Sequence, residues 1–283
     1  MHSDSYFCIG ASHHVCQDYA LSGVTEDGRA YAIVSDGCSG SPDTDFGARF
    51  MAKATQWALN QSKERNPFVK AAALGQQMAS SCNMPYECLD ATVIAAVEGE
   101  LEGKRGVHVE MAGDGVLVGR RRGASYFDTY ALDFPLGYPA YASYMIDLPR
   151  MLQYVEHTQG GAASIRIEYG EFGTLLRSSH QFYSTEGDWF RPYHMFFDSK
   201  KYDLVMLLSD GVLSFQGIEA SETSKRATPV ALDAILNELT QFKNMKGEFV
   251  VRRVRKFLTK TCQEKGWVHY DDLSVAAIAM DDA

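Results

Sequence analysis

Three apolar runs in this chain terminate at aspartates: Tyr31-Ala32-Ile33-Val34-Ser35-Asp36-Gly37, Leu204-Val205-Met206-Leu207-Leu208-Ser209-Asp210-Gly211, and Asp271-Asp272-Leu273-Ser274-Val275-Ala276-Ala277-Ile278. Each run reads as a buried strand, so each carboxylate is expected at a strand terminus rather than in a solvated loop. Carboxylates gathered at buried strand ends repel one another and lose hydration, a cost hard to sustain without a cation among them. The pattern points to a metal site. Oxygen ligands with no Cys/His ligand spacing favour a hard ion, Mg2+ or Mn2+, over zinc.

The 283 residues and 46% hydrophobic content suit a globular protein, and no Pro/Ser/Gly-rich linker divides the chain, so one domain over 1–283 is expected. A formal charge of -9 disfavours nucleic-acid binding. The one basic run, Arg120-Arg121-Arg122, reads as a solvated strand end or turn. Six cysteines show neither a CxxC pair nor regular spacing, which argues against a zinc ribbon or a disulfide framework and for reduced thiols in the cytoplasm. The N-terminal residues lack the basic start and apolar stretch of a signal peptide. No apolar run approaches the roughly 20 residues of a bilayer span, so no membrane association is expected.

Strand-like runs recur at 30–35, 91–97, 107–111, 116–119, 164–169, 204–208 and 273–280, and Gly113-Asp114-Gly115 suggests an antiparallel hairpin. Helical spacing of Phe46, Phe50, Ala54, Trp57 and Ala58 predicts a helix over 45–59. A second helix is expected from a Thr228 cap and Pro229 through Leu239, and a third from about Glu248 to Glu264 with Gly266 as its stop. Antiparallel strands interleaved with amphipathic helices indicate an α+β layered fold. No GxGxxG or P-loop follows a strand.

Asp18 in Cys16-Gln17-Asp18-Tyr19-Ala20, then Asp36-Gly37, Gly113-Asp114-Gly115, Ser209-Asp210-Gly211 and Asp271-Asp272-Leu273-Ser274 form an ordered set. In that order the set resembles the metal-dependent protein phosphatases of type 2C, from about Ser12 to Met280. Ser12-His13-His14 with Val34-Ser35-Asp36-Gly37 looks most like a bacterial branch of that family. The resemblance implies an α-β-β-α sandwich of two stacked antiparallel sheets flanked by helices, with a two-metal site at one edge. By the same resemblance Asp36 bridges both ions, the Gly37 carbonyl coordinates one, and Asp210 and Asp271 complete the ligands. Asp114 would join Asp210 around a weaker third ion; a plain hairpin-turn aspartate fits it as well. Asp18 would orient metal-bound water, with a helix cap or surface turn as its alternative. Asp272 is given outer support of the site or a solvated turn, and His269 a structural place.

The implied chemistry is hydrolysis of phosphoserine or phosphothreonine by a water activated between two ions, with no covalent nucleophile. Neither a Cys-x5-Arg loop nor a Gly-x-Ser-x-Gly elbow is present to supply one. His13 falls where better-known family members carry a phosphate-binding arginine; with His14 it is a candidate proton donor, and a core or helix-cap histidine is the alternative for either. Gln17 stands where an acidic residue often precedes the Asp18 position, and Cys38 reads as a small packing residue. The stretch from Tyr126 to Phe197, with Tyr138, Tyr141, Tyr144, Trp189 and Tyr193, corresponds to a variable flap-like segment around 124–200. The expected partners are a phosphorylated protein substrate and a cognate Ser/Thr kinase or its target. Two other readings stay open: a pseudophosphatase acting as a binding module, and a phosphatase of a small phosphorylated metabolite.

Overall fold

The computed structural model describes residues 1–61, 67–169, 174–182, 190–220 and 225–280. The first half of the chain runs through strands β1 (His2–Cys8), β2 (Asp18–Val24) and β3 (Ala30–Gly37), then helices α1 (Thr44–Gln61) and α2 (Phe68–Ser81). Strands β4 (Ala91–Leu101), β5 (Lys104–Ala112), β6 (Val116–Arg121) and β7 (Phe127–Asp133) follow. Helix α3 (Leu148–His157) precedes β8 (Ala162–Tyr169), β9 (Thr174–Gln181), β10 (Tyr193–Asp198) and β11 (Tyr202–Leu208). The chain ends with β12 (Phe215–Ala220), β13 (Lys225–Pro229), α4 (Leu232–Leu239), α5 (Phe249–Lys256), α6 (Cys262–Lys265), β14 (Trp267–His269) and β15 (Leu273–Ala279).

These strands form a seven-stranded sheet ordered β1-β15-β11-β6-β7-β8-β9 and a five-stranded sheet ordered β10-β5-β4-β3-β2, every pairing antiparallel. The two stack face to face, with β1 and β15 against β2 and β3. Helices α1 and α2 cover the smaller sheet; α4 and α5 cover part of the larger. The expected α-β-β-α sandwich is therefore the observed architecture.

The layering explains why the apolar runs are unbroken. In β11, Val205 and Leu207 point into the core between the sheets, while Leu204, Met206 and Leu208 point into a second core beneath α4 and α5. In β15, Ala276 and Ile278 face the first core and Val275, Ala277 and Ala279 the second. A strand between two apolar layers cannot alternate polar with apolar residues.

Three local expectations are corrected. Gly113-Asp114-Gly115 is not a hairpin, because β5 pairs with β4 and β10 while β6 pairs with β11 and β7. The segment carries the chain from one sheet to the other, and Gly113 and Gly115 adopt φ of 95° and 129° to do so. Thr228 and Pro229 lie in edge strand β13, where a proline costs no ladder bond, and the helix begins at Leu232. The three arginines stand at a strand end as expected, at the close of β6, but are not merely solvated: Arg120 is bound to Asp203, Arg121 to the fully buried Asp128, and Arg122 donates to the carbonyls of Ser199 and Tyr202. The third expected helix is one rod, widened to a π turn over Phe257–Thr261 and stopped by Gly266 at φ 65°. Among the described residues no helix is long and apolar enough to cross a membrane.

Candidate metal centre

All five singled-out aspartates meet at one end of the sandwich. Asp18 and Asp36 are direct cross-strand partners on β2 and β3, and Asp36 stands opposite Thr92 on β4. Thr92 Oγ1 donates to Asp114 Oδ1 at 2.7 Å and accepts from the Asp114 amide at 3.2 Å. From the other sheet, Asp210 opens a 3-10 turn, Asp210–Leu213, at the end of β11. Ser209, just before it, donates to Asp18 Oδ2 at 2.7 Å and accepts from the Ser274 amide at 3.0 Å. This buried serine joins the two sheets at the site.

A three-stranded sheet, β13-β12-β14, holds the Asp210 turn beside Asp271. Ser214 Oγ, at the end of that turn, accepts from the amides of Tyr270 and Asp271 at 3.2 and 3.1 Å. The approach is so close that a Cβ at Gly211 would overlap the Asp272 carbonyl oxygen. Gly211 is thus a packing requirement rather than a turn preference.

Asp272 is buried (2% exposed) and organises the N-terminal loop: its Oδ1 accepts from the Gly10 amide at 2.7 Å and its Oδ2 from the Gln17 amide at 2.6 Å. His13 lies between two carboxylates, Nδ1 at 3.0 Å from Asp272 Oδ2 and Nε2 at 3.4 Å from Asp271 Oδ1. Contact with Asp272 raises the His13 pKa, against a smaller lowering by burial. His14 is exposed. The structural reading of His269 fits its surroundings: it stacks on Phe215 at 5.3 Å, approaches the Ile9 carbonyl at 3.1 Å, and is lowered in pKa by burial. The Gln17 side chain donates to Thr44 Oγ1 at 2.7 Å.

Burial raises the carboxyl pKa values here. Asp18, with no exposed surface, is pushed to about 7 by loss of hydration. Asp210 is pushed to about 6 by burial, then by the charges of Asp114 and Asp271. Asp36 is raised well above the carboxylate range by burial and by Asp18, Asp210 and Asp114. Asp114 is raised by burial, against the lowering bond from Thr92.

This donor set fits hard divalent cations: it is made of oxygens, its charges stand unbalanced, and Asp18 Oδ1 is buried with no hydrogen-bond partner. Among the described residues no group of three or more His, Cys, Asp or Glu side chains stands close enough together to hold a metal ion as placed. The carboxylates meet instead through their fields and shared serine and threonine partners.

Several supporting residues escape a motif search. Asp90 is buried; its side chain accepts from Ser41 at 2.9 Å and Ser143 at 3.0 Å and pairs with Arg150, while its carbonyl accepts from the Cys38 amide at 2.8 Å. One carboxylate thus ties α3 and its preceding turn to the loop after Asp36-Gly37. Tyr141 is buried beside Cys38 and Asp114, and burial raises its pKa. Tyr138 is exposed, Tyr144 lies under Arg150 at 4.9 Å, and Tyr193 is half-buried on β10. Trp189 lies outside the described residues. Ser209 and Ser274 stand inside the aspartate motifs themselves, but the bonds by which Ser209 links Asp18 to the Ser274 amide are set by tertiary contact.

Residues 9–131 match the profile of a family described as protein phosphatase 2C. No curated protein matches the chain. Among solved structures, a bacterial serine phosphatase is similar at 10% identity, covering 100% of this chain and 99% of that one, with a TM-score of 0.56. The serine/threonine phosphatase of S. agalactiae is similar at 11% identity over 99% of both chains (TM-score 0.54). Serine/threonine phosphatase Stp1 from Staphylococcus aureus is similar at 10% identity over 99% of this chain and 95% of that one (TM-score 0.53). At such identities the likeness is one of fold.

Proposed function

We propose, from the match of residues 9–131 to the protein phosphatase 2C profile and the aspartates grouped at one end of the sandwich, that this protein is a Mg2+- or Mn2+-dependent phosphatase acting on phosphoserine and phosphothreonine in protein substrates. The carrying observation is that Asp18, Asp36, Asp114, Asp210 and Asp271 lie near enough at one end of the sandwich to raise one another's pKa values, with burial pushing Asp18 and Asp210 to about 7 and 6. A buried cluster of that kind weakens the fold unless it binds cations. Its retention supports chemistry over scaffolding.

Asp36, the Gly37 carbonyl, Asp210 and Asp271 would hold two divalent ions, and Asp114 with Asp210 a weaker third. When bound, such ions supply charge neutralisation for the phosphoryl group and acidify the attacking water. Asp18, held through Oδ2 by Ser209 Oγ at 2.7 Å, keeps Oδ1 buried and without a hydrogen-bond partner, free to accept from a metal-bound water. Asp272 sets the loop that carries His13. His13, its pKa raised by the contact with Asp272, would present a cationic donor for the substrate phosphate or the departing alkoxide when protonated. Imidazolium gives one directional bond where a guanidinium would give two, so phosphate binding should depend on pH.

The test is phosphate release from a phosphothreonine peptide and from an aryl phosphate, with Mn2+ and with chelator. Release from both with Mn2+ and from neither with chelator supports the reading. Mn2+-dependent thermal stabilisation without turnover of either would instead identify a binding module. Turnover of small phosphates alone would identify a metabolite phosphatase.

A further inference from the structure

The peptide that joins Gly37 to Cys38 is held at the very end of β3. Asp36 and Gly37 stand opposite Thr92 and Ala91 on β4, and the pairing continues one step further, where the Cys38 amide donates to the Asp90 carbonyl at 2.8 Å. No described peptide is cis, and in a planar trans peptide the N–H and C=O point in opposite directions. A bond that fixes the Cys38 N–H therefore also fixes the direction of the Gly37 carbonyl, the backbone oxygen assigned above as a ligand. The surroundings are close: the Gly37 amide donates to the Gln17 carbonyl at 3.1 Å, and a Cβ at Gly37 would lie 2.6 Å from the Thr44 carbonyl oxygen. The Cys38 carbonyl accepts from the Ser41 amide at 3.1 Å and from Thr44 Oγ1 at 3.0 Å, so the loop to α1 turns as a unit with this peptide.

Asp90 is in turn held from the segment after β7. Ser41, which bonds its carboxylate at 2.9 Å, belongs to the loop after Gly37, but Ser143, at 3.0 Å, lies in the turn Ala142–Ile146, and Arg150 in the first turn of α3. Arg150 is itself seated: its guanidinium lies over the Tyr144 ring at 4.9 Å, and its amide donates to Asp147 Oδ1 at 3.2 Å. With Asp90 only 4% exposed, loss of the Arg150 cation would leave a buried carboxylate undersupplied with donors, which drives it toward water or other amides. The Asp90 carbonyl would shift with it, and the Gly37–Cys38 peptide would lose its fixed plane.

We propose that Asp90 and Arg150 are positioning residues for the metal centre: α3 docks through Arg150 and holds Asp90, Asp90 holds the Gly37–Cys38 peptide, and the Gly37 carbonyl is thereby kept in place as a ligand. Coupling between two sites is reciprocal, so cation binding and docking of α3 strengthen one another. The inference rests on the metal-dependent reading above.

The experiment measures Mn2+ binding by calorimetry and amide hydrogen exchange by mass spectrometry on the full chain, in wild type, Arg150→Met, Arg150→Lys and Ser143→Ala. Arg150→Met keeps an aliphatic stem without the cation and should weaken Mn2+ binding about tenfold, the usual effect of losing a partner that orients a ligand. Arg150→Lys returns a cationic donor and should recover most of that loss. Exchange at the Cys38 amide should quicken in metal-free Arg150→Met, and Mn2+ should slow exchange along α3 in wild type but not in that variant. A merely structural Arg150 would lower the melting temperature and leave the Mn2+ dissociation constant of the folded protein where it was. Equal Mn2+ affinity in wild type and folded Arg150→Met, or unchanged exchange at Cys38, would overturn the proposal. Should Arg150→Met fail to fold, Ser143→Ala, which removes one neutral donor from Asp90, must weaken Mn2+ binding or the proposal falls. Weaker Mn2+ binding in the variants supports the positioning role even if wild type releases no phosphate, a result that removes the phosphatase reading alone. Failure of wild type to bind Mn2+ overturns both.

Discussion

Asp210→Asn separates the cost of the carboxylate cluster from its use. In wild type without metal, Asp210 has its pKa raised from 3.8 to about 6 by burial and neighbouring charge. A raised carboxyl pKa favours the protonated folded form, so its stabilising contribution is complete below the unfolded value and is lost as pH rises from about 4 through 6. Above pH 6 the ionised group costs about 3 kcal/mol, from 1.4 kcal/mol per pKa unit. Asparagine keeps the shape without the charge. In chelator at pH 8 the variant should be more stable by up to about 3 kcal/mol, or roughly 6 °C in Tm for a chain of this size. Near pH 4 the gain should shrink below about 1 kcal/mol. With Mn2+ at roughly 100 times its dissociation constant, wild type should gain about 2.7 kcal/mol while the variant gains little, so the order of stability narrows or reverses. Thermal denaturation followed by circular dichroism at two pH values, with and without Mn2+, reads all four arms. No gain in chelator at pH 8, or an equal gain at both pH values, would refute the electrostatic account; Mn2+-dependent hydrolysis undiminished in the variant would refute the ligand assignment.

Gly211→Ala should cost about 1–3 kcal/mol in urea unfolding, because its Cβ has to displace the Asp272 carbonyl; wild-type stability would contradict the close packing. Thr92→Val leaves Asp114 without its side-chain donor and should cost about 1–3 kcal/mol while weakening Mn2+ binding by calorimetry. The His13 pKa, followed by NMR, should fall in Asp272→Asn, since the Asp272 contact is its first cause; the stability His13 contributes as imidazolium is present below its unfolded pKa of about 6.5 and lost as pH rises through the folded value. If His13 acts on phosphate, activity falls along the same limb and His13→Arg flattens it, whereas an identical profile returns His13 to a structural role.

The central strands were legible because β11 and β15 are apolar on both faces, and the aspartates because they end those strands. Strand β1 escaped notice since its residues show no clean alternation: Asp4 is buried and accepts from the Val250 and Val251 amides at 2.6 and 3.0 Å, a tertiary cap on α5 that periodicity cannot encode. Gly113-Asp114-Gly115 has the composition of a hairpin, and only the pairing of β6 with β11 reveals that it passes between sheets. The Asp90 hub was invisible for a similar reason, because its partners lie 49, 53 and 60 residues away. Local pattern records which faces are wet and where the chain turns; it does not record which distant amides and hydroxyls find each carboxylate.

Asp18 and Asp36 lie on strands of one sheet, while Asp210 follows β11 and Asp271 precedes β15 of the other, with Ser209 as the hydrogen-bonded link at the site. A cation bound among them would act as a rivet through two plates that otherwise adhere by apolar contact. Shearing one sheet over the other would have to break coordination, so the protective effect of Mn2+ should extend along both plates rather than remain at the loops. Amide hydrogen exchange should accordingly slow together in β3 and β11, strands that share no backbone ladder.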